Sequence, residues 1–305
     1  MPSSSRIRTY GMRQRSDRPD FYIRDKSERP ALTLPHRHEY FQIQINFGGD
    51  THQHIGGAVR PFPRNALAFI LPHHLHLIPH PQDSSFVLVN FAPEFLLPHL
   101  ACDPMDLEDI PLGDAPELAP FRFQEHLDFI LDDPTFAQVR ALLDQMRDAD
   151  RQRQLGSAAM LRGLLLQLLG LVCNHFEAPL QTLASGGAAQ RGRRDALGRV
   201  SRYIRAQLGN PALNLKEAAD AAFLSPNYLT HLLRKETGSG FSELVLERRM
   251  RLARTQLTNT DLPITRIAAS CGFADEAYFS RRFRQLHGVP PGQFRKQQRE
   301  RHSEL

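Results

Sequence analysis

Two stretches of the chain, AADAAFLSPNYLTHLLRKETGSGFSEL (218–244) and AASCGFADEAYFSRRFRQLHGVPPGQF (268–294), align at an offset of 50 residues. Ala218 meets Ala268, Ala219 meets Ala269, Phe223 meets Phe273, Tyr228 meets Tyr278, Arg234 meets Arg284 and Gly238 meets Gly288. Six identities in 27 positions exceed the roughly two expected from ordinary composition. Leu229 with Phe279, Thr230 with Ser280, Leu233 with Phe283 and Leu244 with Phe294 are near-matches in the same register. One supersecondary unit is therefore used twice. Each copy reads as helix, tight turn, helix. In the first, Leu215 to Ala222 is a short helix, Phe223-Leu224 makes the turn, and Ser225 is an N-cap with Pro226 at the first helical position. The second helix of that copy runs to about Glu236 and stops before Gly238. In the second copy Ile264 to Cys271 is the short helix, Gly272-Phe273 lies in the turn, and Asp275 caps a helix that runs to His287.

Helical spacing turns Tyr228, Leu229, Leu232 and Leu233 inward in the first copy, and leaves Asn227, Thr230, His231 and Arg234 outward. In the second, Tyr278, Phe279 and Phe283 face inward, and Glu276, Ala277, Ser280, Arg281 and Arg284 outward. Short hydrogen-bonding side chains on the first outward turn, with Arg or Lys behind them, suit a helix entering the major groove of DNA. Ser225 and Asp275 at the helix starts, with Arg234, Lys235, Arg248, Arg249, Arg282 and Arg284, are candidates for phosphate contact. Phe241 to Leu257 reads as a connecting helix about 25 Å long. Such a strut suits two reading helices one DNA turn, ~34 Å, apart. The plain alternative is a small helical bundle with a wet polar face.

At these residues a family is recognisable. Ile267-Ala268-Ala269-Ser270-Cys271-Gly272-Phe273, then Tyr278-Phe279-Ser280-Arg281-Arg282-Phe283-Arg284, then Gly288-Val289-Pro290-Pro291 and Arg295, closely resembles the signature of AraC/XylS-type transcription regulators. Ser225 to Leu229 and Glu236-Thr237-Gly238 resemble the family's first helix-turn-helix. The likeness covers about residues 197 to 297. It implies base reading by Asn227, Thr230 and His231 in the first unit, and by Glu276, Ala277, Ser280 and Arg281 in the second. His231 and Glu276 stand where many relatives carry other polar side chains, so no target sequence transfers.

Charge and composition agree with two parts. The chain has 305 residues, 41% apolar and 23% charged, with a net charge of +5, which fits two globular domains and excludes a disordered or fibrous protein. Residues 191–305 hold 21 Lys and Arg against 11 Asp and Glu, while residues 1–190 hold 17 against 22. A part at +10 joined to one at −5 suggests that the C-terminal part meets a polyanion. A solvated basic surface is the bland reading of the same charge. Met1 to Asp20 lacks the apolar run of a signal peptide, and Leu161 to Cys173 is shorter than a bilayer span and carries Arg162 and Gln167. No membrane helix is expected. Cys102, Cys173 and Cys271 are odd in number and far apart, which suits a reducing cytoplasm rather than a disulfide framework.

Upstream, Phe41, Ile43, Ile45 and Phe47 alternate with Gln42, Gln44 and Asn46, the pattern of a half-buried strand. Gly48-Gly49 and Gly56-Gly57 supply turns, and Phe86 to Phe91 is another β-rich run. A small β-barrel or sandwich over roughly 20–110 follows. Then Phe136, Val139, Leu142, Leu143 and Met146 form a helical face, and Leu155 to Phe176 is a Leu-rich helix apolar on more than one side. Such a helix needs two partners, either within its own domain or in a second subunit. Pro179 to Arg194 has no apolar periodicity and reads as a flexible linker.

Eight of the 14 His residues lie between His36 and His80, with His36/His38, His52/His54 and His74/His76 spaced i, i+2. Such pairs raise the question of a metal site. Pro35-His36-Arg37-His38-Glu39-Tyr40 and Phe69 to His76 resemble the two halves of the cupin-like sensor of this family. Metal-binding cupins carry a carboxylate four residues after the second His, and here that position is Gln42. No metal and no cofactor are expected. The resemblance implies instead a barrel lined by His36, His38, Gln44, Asn46, His76, Phe86 and Leu88 that holds a small organic effector.

The expectation is thus a multidomain α+β protein with an N-terminal cupin-like β-barrel with flanking helices and a C-terminal all-α domain with two helix-turn-helix units. Its segments are an arm (1–20), the barrel (21–110), a helical dimerisation region (111–178), a linker (179–194), the DNA reader (195–298) and a tail (299–305). The function expected is that of a cytoplasmic one-component regulator, an activator rather than an enzyme. Its partners would be double-stranded DNA, a small-molecule effector, RNA polymerase and a second copy of itself, with no membrane. The rivals are a metal-dependent cupin enzyme with an appended helical domain, and an architectural DNA-binding protein without an effector.

Overall fold

The computed structural model describes residues 7–25, 27, 32–55, 58–99, 107, 110, 112–185 and 188–303. The chain divides into two units, 1–192 with 235–238, and 193–234 with 239–305. The Gly56-Gly57 turn and Cys102 lie outside the described residues.

In the first unit the strands are β1 (Arg8–Tyr10), β2 (Phe21–Asp25), β3 (His36–His38), β4 (Phe41–Gly48), β5 (Thr51–Ile55), β6 (Ala58–Phe62), β7 (Ala66–Ile70), β8 (His76–Leu77), β9 (Ser85–Phe91) and β10 (Phe129–Ile130). They form two five-stranded sheets, ordered β1-β3-β8-β5-β6 and β10-β7-β4-β9-β2. The expected barrel is thus two separate sheets. In the second sheet β4 is central. Its antiparallel register sets Gln42 opposite Ile70 and Asn90, and Gln44 opposite Ala68 and Leu88. Ile43 likewise lies opposite Phe69 and Val89. Cross-strand partners share a face. One face, with Phe21, Ile23, Phe41, Ile43, Ile45, Leu67, Phe69, Val87, Val89 and Phe91, belongs to the main core. The other carries Ala66, Ala68 and Ile70 against Ile55, Phe62 and Ile78.

Helices cover the apolar face. After α1 (Met12–Arg15) and α2 (Pro93–Leu96) come α3 (Ala119–Phe123), α4 (Asp133–Gln152) and α5 (Ser157–His175). Asp132 caps α4 by accepting the Thr135 N–H at 2.8 Å. Along it Phe136, Val139, Leu143 and Met146 are buried. On α5, Leu161, Leu165, Leu168, Leu169 and Val172 are fully buried in that core, whereas Met160 and Leu166 are exposed. The helix, 19 residues long, lies within the expected Leu155–Phe176 span and ends just short of it on both sides. By length and composition alone it is long and apolar enough to cross a membrane, and its buried Leu face packs in this core.

The segment expected to be a linker is helical. α6 (Glu177–Ser185) buries Leu180 in the main core, and α7 (Ala188–Ala206) begins after residues 186–187, which lie outside the described residues. Alanine is the strongest helix former, and a Leu180 anchor that reads as isolated in sequence finds its partners only in the folded core.

The second unit continues with α8 (Leu215–Ala221), α9 (Pro226–Thr237), α10 (Phe241–Asn259), α11 (Ile264–Ser270), α12 (Glu276–His287) and α13 (Pro291–Ser303). The duplication holds, but its register changes inside the turn. α9 and α12 start 50 residues apart, whereas α8 and α11 start 49 apart. Buried Ala218, Ala219 and Ala222 correspond to buried Ile267, Ala268 and Cys271. The left-handed turn residue is Phe223 (φ 58°) in one copy and Gly272 (φ 77°) in the other. Each turn closes in the same way, with Leu224 N–H donating to Ala219 and Phe273 N–H donating to Ala268. The sequence match of Phe223 with Phe273 is therefore fortuitous. Phe223 is 87% exposed, and Phe273 is buried.

At Gly272 a side chain has no room, since a Cβ would sit 2.4 Å from the Leu208 carbonyl oxygen and 2.8 Å from the Arg249 guanidinium. Gly272→Ala is expected to destabilise this unit by roughly 2 kcal/mol or more, from the left-handed backbone and the clash together. Urea unfolding of the full chain measures it, and Gly292→Ala, where a Cβ meets nothing, is the control that should change little.

Candidate functional site

Two places carry chemistry: the outward faces of α9 and α12, and the polar side of the β4 sheet. On α9, Ser225 Oγ accepts the Tyr228 N–H at 3.2 Å, which fixes the helix start. Leu229, Leu232 and Leu233 are buried, and Asn227, His231, Arg234 and Lys235 are exposed. Thr230 is half-buried and its hydroxyl donates back to the Pro226 carbonyl at 2.9 Å. On α12, Asp275 caps the helix by accepting the Tyr278 N–H. Phe279 and Phe283 are buried, Glu276, Ala277, Arg281 and Arg284 are exposed, and Ser280 is half-buried. Both helices end at a glycine of positive φ, Gly238 and Gly288. The cores behind them differ in filling. Phe279 and Phe283 join Met250, Ala253 and Leu257 of α10, where the first copy uses leucines.

Three expectations, on α9, α12 and the connecting α10, are corrected. Tyr228 and Tyr278 do not face inward; at 46% and 47% exposed they take equivalent places on the two outer surfaces. Their helical angle lies at the edge of the apolar stripe, which periodicity alone resolves poorly. Arg248 is no phosphate contact, because it is 2% exposed and donates to Ser201 Oγ at 3.1 Å. Nor is Arg249, which donates to the carbonyls of Leu208 at 3.1 Å and Asn210 at 2.6 Å and lies over the Phe273 ring. A guanidinium has donors enough to satisfy loop carbonyls inside a small core, and sequence gives no mark of which arginines do so. Arg282 is half-buried and donates to Gln285 at 2.8 Å. Asp275 acts as a cap, and its carboxylate would repel a phosphate.

In the first unit the polar face of β4 is a hydrogen-bonded row. Gln42 donates to Asn90 at 2.6 Å, Gln44 donates to Gln42 at 2.8 Å, and His80 Nε2 donates to Gln44 Oε1 at 3.0 Å. His80 stacks on Phe86 with ring centroids 3.6 Å apart. A cavity of about 20 Å³ lies on this face, lined by Arg15, Arg24, Leu32, His36, Tyr40, Gln42, Gln44, Ile78, His80 and Leu88. That volume holds about one water molecule. Of the expected pocket residues, His36, Gln44 and Leu88 line it. Phe86 reaches it only through His80. Asn46 is corrected: it donates to the Gly49 and Phe62 carbonyls and accepts the Gly48 N–H, so it braces the hairpin. Arg15, Arg24, Tyr40, Gln42 and His80 were missed. The alternation of Phe21 and Ile23 with Tyr22 and Arg24 was the signal for Arg24.

His36, His38 and His76 form a cluster, with ring centroids 4.3 Å (His36–His76) and 4.7 Å (His38–His76) apart. Each Nδ1 meets a backbone carbonyl, of Leu34, Tyr40 and His74 respectively. A carbonyl only accepts, so each Nδ1 carries the hydrogen and each Nε2 the lone pair. His38 Nε2 and His76 Nε2 are buried and meet no hydrogen-bond partner among the described residues. Burial pushes the pKa of both well below the ordinary 6.5, and that of His80 down to about 4. Gln42, in the place of a cupin carboxylate, is bonded to Asn90 and Gln44. Among the described residues no group of three or more His, Cys, Asp or Glu side chains is arranged to hold a metal ion.

Comparison with known proteins bears on the second unit. A family model described as a helix-turn-helix domain matches residues 218–297. The regulatory protein PocR of Salmonella typhimurium is 40% identical over 96 residues, 32% of this chain and 31% of that protein. The uncharacterized HTH-type transcriptional regulator YijO of Escherichia coli K12 is 39% identical over 94 residues, 31% of this chain and 32% of its own. The arabinose operon regulatory protein of the same organism is 32% identical over 93 residues, 30% of this chain and 32% of its own. The chain thus spans about a third of the length of the curated relatives it matches. Among solved structures, the C-terminal domain of AraT, a response regulator from Geobacillus stearothermophilus, is similar at 33% identity, over 33% of this chain and 84% of that one, with a TM-score of 0.33. ToxT of Vibrio cholerae is similar at 14% identity, over 90% of this chain and 97% of that one, with a TM-score of 0.40.

The neutral histidines set a pH dependence. Below about 6.5 the unfolded chain binds protons that folded His38, His76 and His80 refuse, so their stabilisation is full above that pH and declines as pH falls from 6.5 toward 4. The urea midpoint of the first unit is expected to be lower at pH 5 than at pH 7.5, and the fall to be shallower in His80→Gln. A midpoint flat across this window contradicts neutral burial.

Proposed function

We propose that this chain, whose residues 218–297 form a helix-turn-helix domain of the AraC type, is a one-component transcription regulator that reads DNA with its second unit and senses a small molecule with its first. The observation that carries the reading is the duplicated helix pair. α9 and α12 start alike, end alike, bury one apolar stripe each and turn polar side chains outward. Base edges are read by Asn227, Thr230 and His231 from α9 and by Glu276, Ala277, Ser280 and Arg281 from α12. The backbone is held by Arg234, Lys235 and Arg284, with Ser225 and Asp275 ordering the helix starts and Tyr228 and Tyr278 beside them. α10, 19 residues and so about 28 Å long, joins the two helix pairs.

The effector site lies on the polar face of β4, where His36, Gln44 and Leu88 meet Arg24, Gln42 and His80. At about 20 Å³ it holds no organic effector without opening, so binding selects a more open state of the sheets and shifts an existing equilibrium. Coupling of that state to promoter occupancy or polymerase contact makes the protein an activator. The exposed Met160 and Leu166 on α5 supply the face for a homodimer, and the cytoplasm is the compartment where DNA is met.

Genome-wide footprinting of bound DNA, followed by binding to a recovered operator, tests the reading. Arg281→Ala is expected to weaken specific binding by about 1–3 kcal/mol, the worth of a base-reading contact. Arg284→Ala should weaken all sequences alike and lower the salt slope by about one. Unchanged operator affinity in Arg281→Ala removes it from the reading surface, and absence of any salt-sensitive binding to duplex DNA overturns the function.

A further inference from the structure

The first unit has a second concavity besides the space on the polar face of β4. It is an open cleft of about 400 Å³ bounded by the end of α1, the edge strand β2 and the last turns of α4. Five arginines line it, Arg15, Arg18, Arg24, Arg147 and Arg151, against three carboxylates. The concentration is selective, because residues 1–190 as a whole carry more Asp and Glu than Lys and Arg.

All three carboxylates are already engaged, Asp17 by the Ser16 hydroxyl at 3.4 Å. Asp150 takes Arg153 at 2.6 Å, and Arg153 also holds Asp20 at 2.9 Å, so this pairing ties α4 to the start of β2. Asp25 accepts both the N–H and the hydroxyl of Ser27, which hold its carboxyl below the ordinary value, and has Arg147 at 3.6 Å. Arg15 Nε and Nη2 are buried and find no hydrogen-bond partner among the described residues; its guanidinium lies over the Tyr10 ring. Arg24 is 6% exposed. The buried Arg15 N–H groups cost stability while they lack an acceptor, and several forks converging on one cleft match the paired oxygens of carboxylates and phosphates. The lining is mainly polar, which does not suit an apolar ligand, and the volume is that of a small-molecule site.

We propose that this cleft binds a small polar molecule carrying about two or more negative charges, a polycarboxylate or a phosphorylated metabolite. The site is distinct from the face of β4, although Arg15 and Arg24 border both spaces, and it stands or falls independently of DNA reading.

Calorimetric titration of the full chain tests it, with citrate and glucose 6-phosphate as probes, and acetate and glucose as controls at matched ionic strength. The expected result is saturable binding of at least one probe, at least about tenfold tighter than acetate, which corresponds to about 1.4 kcal/mol. Citrate alone binding identifies carboxylates as the acid, glucose 6-phosphate alone identifies phosphate, and both identify charge as the main requirement. Arg18→Gln/Arg151→Gln should weaken the probe at least about tenfold while leaving the ligand-free melting temperature unchanged. If the double variant melts early, Arg151→Gln alone, on an exposed position of α4, gives the same comparison. Binding of neither probe, or equal binding by a folded variant, overturns the assignment.

Discussion

Consecutive side chains leave a strand on opposite sides, and in the first unit that rule decides nearly everything else. Once Phe41, Ile43 and Ile45 of β4 are buried beneath α3, α4 and α5, Gln42, Gln44 and Asn46 have only the opposite face to occupy. The neighbouring strands are held in register with β4, so Asn90, Leu88 and Phe86 follow them there. A polar row buried in this way has to satisfy itself. The chain of donors from His80 through Gln44 and Gln42 to Asn90 does most of this, leaving Asn90 Nδ2 without a partner among the described residues, and Asn46 closes its end on the hairpin backbone. The small cavity is what remains once these groups are paired. Its amides and imidazoles are already ordered, which lowers the entropic cost of any ligand that can take over their hydrogen bonds.

The second unit obeys the helical version of the same constraint. An amphipathic helix of 12 residues that buries three leucines or two phenylalanines has only its remaining surface to show, and capping by Ser225 or Asp275 fixes which turn comes first. The two copies reach this arrangement through turns that share geometry but not residue type. Phe223 tolerates a left-handed backbone because its side chain is free to point outward, where it lies near the Arg199 guanidinium. At Gly272 the Leu208 carbonyl and Arg249 occupy the space a side chain would need. One copy therefore permits a large aromatic residue where the other permits none, within a single duplicated fold.

This contrast explains how far the sequence could be read. The existence of two helix pairs, their caps at Ser225 and Asp275, and their outward polar residues were legible, because local propensity and periodicity agree with the tertiary answer there. The one-residue change of register was not. Ala218/Ala268 and Phe223/Phe273 match by identity, whereas the buried positions pair Ala219 with Ala268. The strand pattern of β4 was legible too, but which sheet edge meets which is set by contacts distant in sequence, so two sheets were indistinguishable from a barrel. The linker was misread for a related reason. Leu180 becomes an anchor only when the main core exists, and no local pattern announces that.

Arginine shows most clearly where composition stops being informative. The net +10 of the C-terminal part points toward a polyanion, yet Arg248 and Arg249 contribute to that sum from inside the unit, bonded to Ser201 and to loop carbonyls. In the acidic N-terminal part the balance of charge argues against an anion site, yet β2 and α4 bring arginines from residues 24, 147 and 151 to one cleft with Arg15 and Arg18. Net charge averages over a surface, while recognition depends on the few guanidiniums that share a concavity and on what else their N–H groups can reach. The same side chain is a brace where carbonyls surround it and a ligand contact where they do not, and that distinction is made by the fold.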